Sequence, residues 1–236
     1  MAIEQPPCLP PITLCLTIGN RPQELRQTLL SLQAHASFEN IIAVNDFRDE
    51  PSNAVFRELC PTGTLVLLDE RVGHHRAADA MYQHIQTPYV FHCEDDWFFD
   101  TAPDFSAAIK FLEDPHTSVV CFRKALDVLR DKPSGLKPST HLFQETPGLR
   151  LDHLHPQWHG FTFNPHLSKL ALWEKLGGFT RFASEKEISA SFRADKRFVV
   201  FTEPGSCRHI GDGVSVSGSN HKSLFKRFKL WLRSKR

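Results

Sequence analysis

The chain has 236 residues, of which 41% are hydrophobic and 23% charged, a size and balance that suit one globular domain and exclude a fibrous or disordered chain. The formal net charge of +1 conceals an asymmetry: residues 222–236 carry seven Lys or Arg and no acid, which leaves 21 basic against 27 acidic residues elsewhere. An acidic body disfavours nucleic acid as a partner.

The six cysteines are Cys8, Cys15, Cys60, Cys93, Cys121 and Cys207, with no C-x-x-C spacing. They read as free thiols in a reducing compartment. The opening "MAIEQPPCLPP" lacks the basic and apolar regions of a signal peptide. No apolar run approaches the roughly 20 residues that cross a bilayer. The sequence therefore predicts a cytoplasmic protein, soluble or peripheral to a membrane.

In chain order, "ITLCLTI" (12–18) reads as a strand and "RPQELRQTLLSLQAH" (21–35) as a helix, with leucines at helical spacing and Pro22 suited to its first turn. "IIAVND" (41–46) is a second strand, 51–59 a helix, "TLVLLD" (64–69) a third strand, 73–85 a helix and "PYVFHCED" (88–95) a fourth strand. A helix over 102–114 and a strand over 117–123 continue the alternation. Residues 124–157, rich in Pro, Gly and His, read as a long loop region. Residues 158–165 read as a strand, 166–179 as a helix ended by Gly177 and Gly178, 183–196 as a helix and 197–204 as a last strand. Regular alternation predicts an α/β domain with a mostly parallel, Rossmann-like sheet flanked by helices. Its ligands are expected at the carboxyl ends of the strands.

Three of those ends carry acid. Asp46, Asp69 and the adjacent Glu94, Asp95 and Asp96 each close an expected strand, so they could converge on one crevice. An acidic triplet is commonly a solvated turn or a helix start. At a strand end among other acids, it suits a hard divalent cation, Mn2+ or Mg2+, which neutralises the mutual repulsion and is completed by substrate phosphates.

From about residue 11 to residue 211 the chain resembles a glycosyltransferase of the GT-A fold, most like the large inverting family 2. "ITLCLTIGNRP" resembles the opening strand and turn, and "IIAVND" the second strand with its closing acid. "RVGHHRAADAMYQHIQTPYVFHCEDD" resembles the helix and strand that lead to the DxD motif. "GGFTRFASEKEISASFR" resembles the Gly-Gly-Phe and the acidic pair on a helix, and "FTEPGSCRH" the strand that ends in a metal-binding His.

The resemblance implies a nucleotide-sugar donor (UDP-, GDP- or dTDP-linked) and a metal. It places Asp46 at the base or ribose, Arg71, Arg76 and Asp79 toward the nucleotide, and Glu94 near the ribose or metal. Asp96 and His209 are implied as metal ligands, with Asp95 supporting them, and Glu185 as the general base with Glu187 as its rival. Two departures stand out: Glu94 replaces the first Asp of DxD, and Gly19 stands where many relatives carry a Tyr near the base. The implied organisation is an N-terminal extension (1–10), a donor-binding half (11–123), an acceptor half (124–211) and a tail (212–236).

His153, His155 and His159 lie beside Trp158, whose flat face could pack on an acceptor sugar; a second metal site or a purely structural cluster are the alternatives there. In the tail, Leu224, Phe225, Phe228, Trp231 and Leu232 fall on one helical face and the basic residues mostly elsewhere. That pattern predicts an amphipathic helix on an anionic membrane, which suits a carbohydrate or glycolipid acceptor. Two rival functions share the architecture. A nucleotidyltransferase would need a Gly-rich basic loop after the first strand, which "TIGNRPQE" lacks, and a non-catalytic binding module would lack the base.

Overall fold

The computed structural model describes residues 9–130 and 135–211. Cys8, most of the N-terminal extension and the tail of 212–236, with its expected membrane-binding segment 222–236, lie outside the described residues. The first strand, β1 (Ile12–Ile18), leads through the turn at Asn20 into α1 (Pro22–Gln33). Pro22 opens that helix, where its missing N–H costs nothing, and Leu25, Thr28, Leu29 and Leu32 are buried along one face. Then follow β2 (Asn40–Asn45), α2 (Glu50–Leu59), β3 (Thr64–Val66), α3 (His74–Tyr82), β4 (Tyr89–Glu94) and β5 (Trp97–Phe99). Asp49 caps α2, accepting from the Ser52 N–H at 3.0 Å.

The second half contains α4 (Phe105–Phe111), β6 (Thr117–Cys121), α5 (Ala125–Leu129), β7 (Ser139–Phe143), β8 (Thr146–Arg150), β9 (His166–Lys169), α6 (Leu170–Leu176), α7 (Glu185–Ala194), β10 (Phe198–Phe201) and β11 (Cys207–His209). Nine strands form one sheet in the order β3-β2-β1-β4-β9-β6-β10-β8-β7, and β11 pairs with β5 in a separate two-stranded sheet. Strands β1 to β4 are mutually parallel, as are β6 and β10. This is the expected mostly parallel sheet.

Side chains alternate between the two faces, and both faces are buried. Leu14, Leu16 and Phe91 join α1, α2 and α4 in one core, while Cys15, Val90 and Val199 join α3 and α7 in the other. The five described cysteines are free and buried, as expected for small hydrophobes.

Four expectations need correction. Residues 124–157 are not a structureless loop but hold α5 and the β7–β8 hairpin, whose two turn residues, Gln144 and Glu145, both have positive φ. Such a turn favours Asn-Gly or Asp-Gly, so Gln-Glu gave no hairpin signal. Residues 158–165 form no strand. Residues 166–169, expected to start a helix, instead form β9, inserted antiparallel between β4 and β6. Neighbouring strands overrode the local helical spacing there. Finally, β3 stops at Val66, so Asp69 does not end a strand.

The strand end that carries the acids is held by a buried threonine on α1. Thr28 Oγ1 accepts from the Trp97 N–H at 3.1 Å and donates to the Asp95 carbonyl at 2.9 Å. Thr28→Val keeps the shape but leaves both backbone groups buried and unpaired. We expect a loss of about 1–3 kcal/mol per unsatisfied group, measured by urea unfolding.

A buried histidine pair makes stability depend on pH. His92 and His166 are fully buried and stacked, with ring centroids 5.4 Å apart. His166 Nδ1 donates to the Asn164 carbonyl at 2.9 Å. Burial holds His166 neutral down to about 4, and burial with the neighbouring His166 and His74 holds His92 well below its ordinary value. An unfolded histidine takes its proton near 6.5. Between those two values the unfolded chain therefore binds more protons, and stability falls as pH is lowered. Unfolding free energies from pH 7 to pH 4 should show this slope, and His166→Gln should flatten it by up to about 1.4 kcal/mol per pH unit.

Candidate active site

Strands β1, β2 and β4 end level with one another: Ile18 is in register with Asn45, and Thr17 with Glu94. The chain winds outward from β1 through β2 to β3, then returns to the other side of β1 as β4. A crevice opens at such a switch point. Here it is a cleft of about 880 Å³ lined by residues that include Gly19, Arg21, Asp46, Phe47, Arg71, Arg76, the Glu94–Asp96 triplet and His209. Seven expected site residues therefore share one cleft: Asp46, Arg71, Arg76, Glu94, Asp95, Asp96 and His209. Asp69 is not among its lining residues.

Asp96 and His209 are 113 residues apart and meet because β5 and β11 pair. Trp97 stands opposite His209, and the Ile210 N–H donates to the Asp96 carbonyl at 2.9 Å. His209 Nε2 lies 3.1 Å from Asp96 Oδ2, and the Trp97 ring meets the imidazole edge-on at 5.1 Å. Arg21 Nη1 bonds the same carboxylate oxygen. Asp96 Oδ1 is buried and has no protein partner. A Cβ on Gly211 would fall 2.7 Å from Asp96 Oδ2 and 2.8 Å from His209 Cε1, so bare backbone passes close to the pair.

An orphaned buried carboxylate oxygen beside an imidazole fits a divalent cation with mixed O and N donors, Mn2+ more naturally than Mg2+. Glu94, the third expected ligand, does not complete a cage. Among the described residues, no three His, Cys, Asp or Glu side chains gather as a metal-holding group. The two-residue donor set therefore suits an ion whose shell is completed by a substrate.

The other two acids of the triplet are costly to ionise. Burial, then the charges of Asp96, Glu185 and Asp95, push Glu94 up to about 8. Burial pushes Asp95 up to about 7, opposed by the Gly19 N–H, which donates to its Oδ2 at 2.8 Å. Asp95 thus fastens the β1–α1 turn to the end of β4.

Other acids serve the architecture. Asp46 accepts from the Val72 N–H at 2.7 Å and the Gly73 N–H at 3.0 Å, tying the start of α3 to the end of β2. Asp79, expected at the nucleotide, does not line the cleft. Its carboxylate accepts from Trp173 Nε1, the Phe179 N–H, the Thr180 N–H and Thr180 Oγ1, all within 2.8 Å. That cluster anchors the Gly-Gly-Phe turn to α3. Gly178, with φ of +89°, has no room for a Cβ, which would sit 2.8 Å from Asp79 Oδ2.

The two candidate bases separate cleanly. Ser184 caps α7 by accepting from the Glu187 N–H, and the exposed Glu187 reaches back to the Ala183 N–H at 2.8 Å. This resembles a capping box, except that Glu187 takes the N–H of the residue before the N-cap. Glu185 instead turns inward. Burial raises its pKa, and hydrogen bonds from the Thr162 side chain and the Phe163 backbone oppose the rise. Its charge reaches Glu94, and the preceding Phe182 and Ala183 line the cleft, although Glu185 itself does not.

The histidines expected beside Trp158 lie away from the cleft. His153 contacts the Lys137 carbonyl at 3.0 Å, and His155 Nδ1 accepts from the Gln157 N–H at 3.1 Å; neither lines the cleft, nor do His159 and Trp158. Sequence reading missed Arg21, Phe47, His74 and His75, which do. Arg21 sits inside the "GNRP" turn that marked the first strand, so the signal was present without a role attached. His74 is half-buried, edge-on against Phe163 at 4.5 Å, and desolvation lowers it to about 4. His75 contacts the Phe182 carbonyl at 2.8 Å.

The solved structures that share this fold include two with a bound nucleotide sugar. A mannosyltransferase, PcManGT from Pyrobaculum calidifontis, in complex with GDP-Man and Mn2+, is 17% identical with a TM-score of 0.63, over 86% of this chain and 58% of that one. Residues 1–349 of S. aureus TarS, in complex with UDP-GlcNAc, are 12% identical with a TM-score of 0.61, over 89% of this chain and 61% of that one. The chain thus spans about three-fifths of the length of each. None of the curated protein sequences is detectably similar to this one. Among the described residues no helix is long and apolar enough to cross a membrane. The profile of glycosyl transferase family 2 matches residues 13–167; with a GT-A-like sheet and a cleft at its switch point, this chain belongs to that family.

Proposed function

We propose that this protein is a metal-dependent, inverting glycosyltransferase that moves a sugar from a nucleoside-diphosphate donor to a hydroxyl acceptor. The observation that carries the reading is the meeting of Asp96, with its orphaned oxygen, and His209 at the cleft. Arg21 and Arg76 in the same cleft supply positive charge for a diphosphate. A Mn2+ or Mg2+ ion held by Asp96 and His209 would supply Lewis-acid stabilisation of the charge that grows on the departing diphosphate. The similar structures with bound GDP-Man and UDP-GlcNAc support a nucleotide-sugar donor of this kind.

Glu185 is the general base in this reading. A carboxylate raised above its usual range is a better proton acceptor near neutral pH. The Thr162 side chain and Phe163 N–H orient it. It would take the proton of the acceptor hydroxyl as that oxygen attacks the anomeric carbon, on the face opposite the leaving diphosphate. Attack from that side inverts the centre. The amphipathic basic pattern of 222–236 supports a peripheral membrane location and a lipid-linked carbohydrate acceptor.

Thermal unfolding with UDP, GDP and dTDP, each with and without Mn2+, tests the donor site. At 100 times its Kd a matching nucleotide should stabilise by about 2.7 kcal/mol, and Asp96→Ala should abolish the Mn2+-dependent part. No metal-dependent shift with any of the three would sink the reading.

The base assignment is tested by separating turnover from stability. Glu185→Gln should slow transfer by about 10²- to 10⁴-fold while the nucleotide-induced shift persists. Glu187→Ala should instead cost about 1 kcal/mol of stability through the lost helix cap and leave turnover nearly intact. The reverse pattern would make Glu187 the base.

A further inference from the structure

Phe47 has no part in the chemistry described so far, yet its ring lines the cleft directly after Asp46. The Arg71 guanidinium lies over that ring, 4.3 Å from its centroid. Arg71 is also drawn toward Asp46, with Nε 3.8 Å from Oδ2, while its side chain stays half exposed. Asp46 itself is engaged with the Val72 and Gly73 amides. The flat surface at this end of the cleft therefore belongs to Phe47 and Arg71 rather than to the Asp46 carboxylate.

The backbone is built around the ring. A Cβ on Gly19 would fall 2.5 Å from Phe47 Cδ2 and 2.9 Å from Phe47 Cβ, at a φ of +151° that side chains rarely adopt. Only glycine leaves the ring its place. Asn45 Oδ1 accepts from the Phe47 and Arg48 N–H groups at 3.0 and 2.9 Å, which fixes the turn that presents the ring. A core plug would be covered, whereas Phe47 keeps part of its surface in the cleft and carries a guanidinium stacked on it.

We propose that Phe47 and Arg71 form a stacking platform for the nucleobase of the donor, with Gly19 as the gap that seats the ring. Asp46 is then a positioning residue that acts through Arg71. This rests on the reading of the cleft as a nucleotide-sugar site. An aromatic ring with a guanidinium plane stacks on any planar heterocycle, so the platform contributes affinity without selecting one base. It adds nothing to the binding of a diphosphate that lacks a base.

Isothermal titration of the full chain in Mn2+ with UDP, GDP and inorganic pyrophosphate separates these contributions. Phe47→Ala and Arg71→Ala should each weaken whichever nucleoside diphosphate binds the unaltered protein on the order of tenfold, and Phe47→Tyr should retain it. Pyrophosphate affinity should stay unchanged in all three. Arg71→Ala, at a half-exposed position, carries the test if Phe47→Ala fails to fold. Equal losses for nucleotide and pyrophosphate, or no loss for nucleotide, would overturn the platform alone. An unaltered protein that binds neither UDP nor GDP would overturn the nucleotide-sugar reading, and the platform with it.

Discussion

Three adjacent carboxyl groups cannot be buried at the end of a strand without compensation, and the way each is compensated organises this molecule. Asp95 takes the Gly19 amide and so fixes the first turn of the sheet. Asp96 takes Arg21 from one side and His209 from the other. Glu94 is pushed up to about 8 by burial and by its neighbours' charges, which outweigh the Trp97 side chain that opposes them. A dication bound at this rim would lower the cost of ionising Glu94 and Asp95.

That compensation depends on the scaffold. The level ends of β1, β2 and β4 place the triplet beside Asp46 and the start of α3. The short β5–β11 pair delivers His209 from the far end of the domain. Thr28 on α1 clamps the backbone where β4 turns into β5. Each of these hydrogen bonds engages a backbone group, so the spacing between Asp96 and His209 is set by the scaffold. Such preorganisation is what a site built on regular elements provides.

Several polar residues that look chemical by their type turn out to be architectural. Asp79 spends its carboxylate on Trp173 of α6 and on three donors of the turn that precedes α7. Glu187 closes a helix cap. Carboxylates near a cleft are thus distinguished by whether their oxygens are already satisfied. Among the described residues, Asp96 Oδ1 is the buried carboxylate oxygen that is not.

The sequence by itself determined the alternating strands and helices of the first half, since apolar period and capping residues are local signals. Its run of acids at 94–96 and the order of its motifs also pointed to the cleft. Local signals could not place β9, whose four residues become a strand only because β4 and β6 leave a slot between them. Nor could they reveal the β7–β8 hairpin, whose Gln-Glu turn carries none of the usual turn residues. Spacing alone left Glu185 and Glu187 open; the fold separated them, because the direction of a side chain depends on which neighbours satisfy it. The partnership of Phe47 with Gly19 was likewise decided by the tertiary structure, through the parallel register that sets the ends of β1 and β2 side by side.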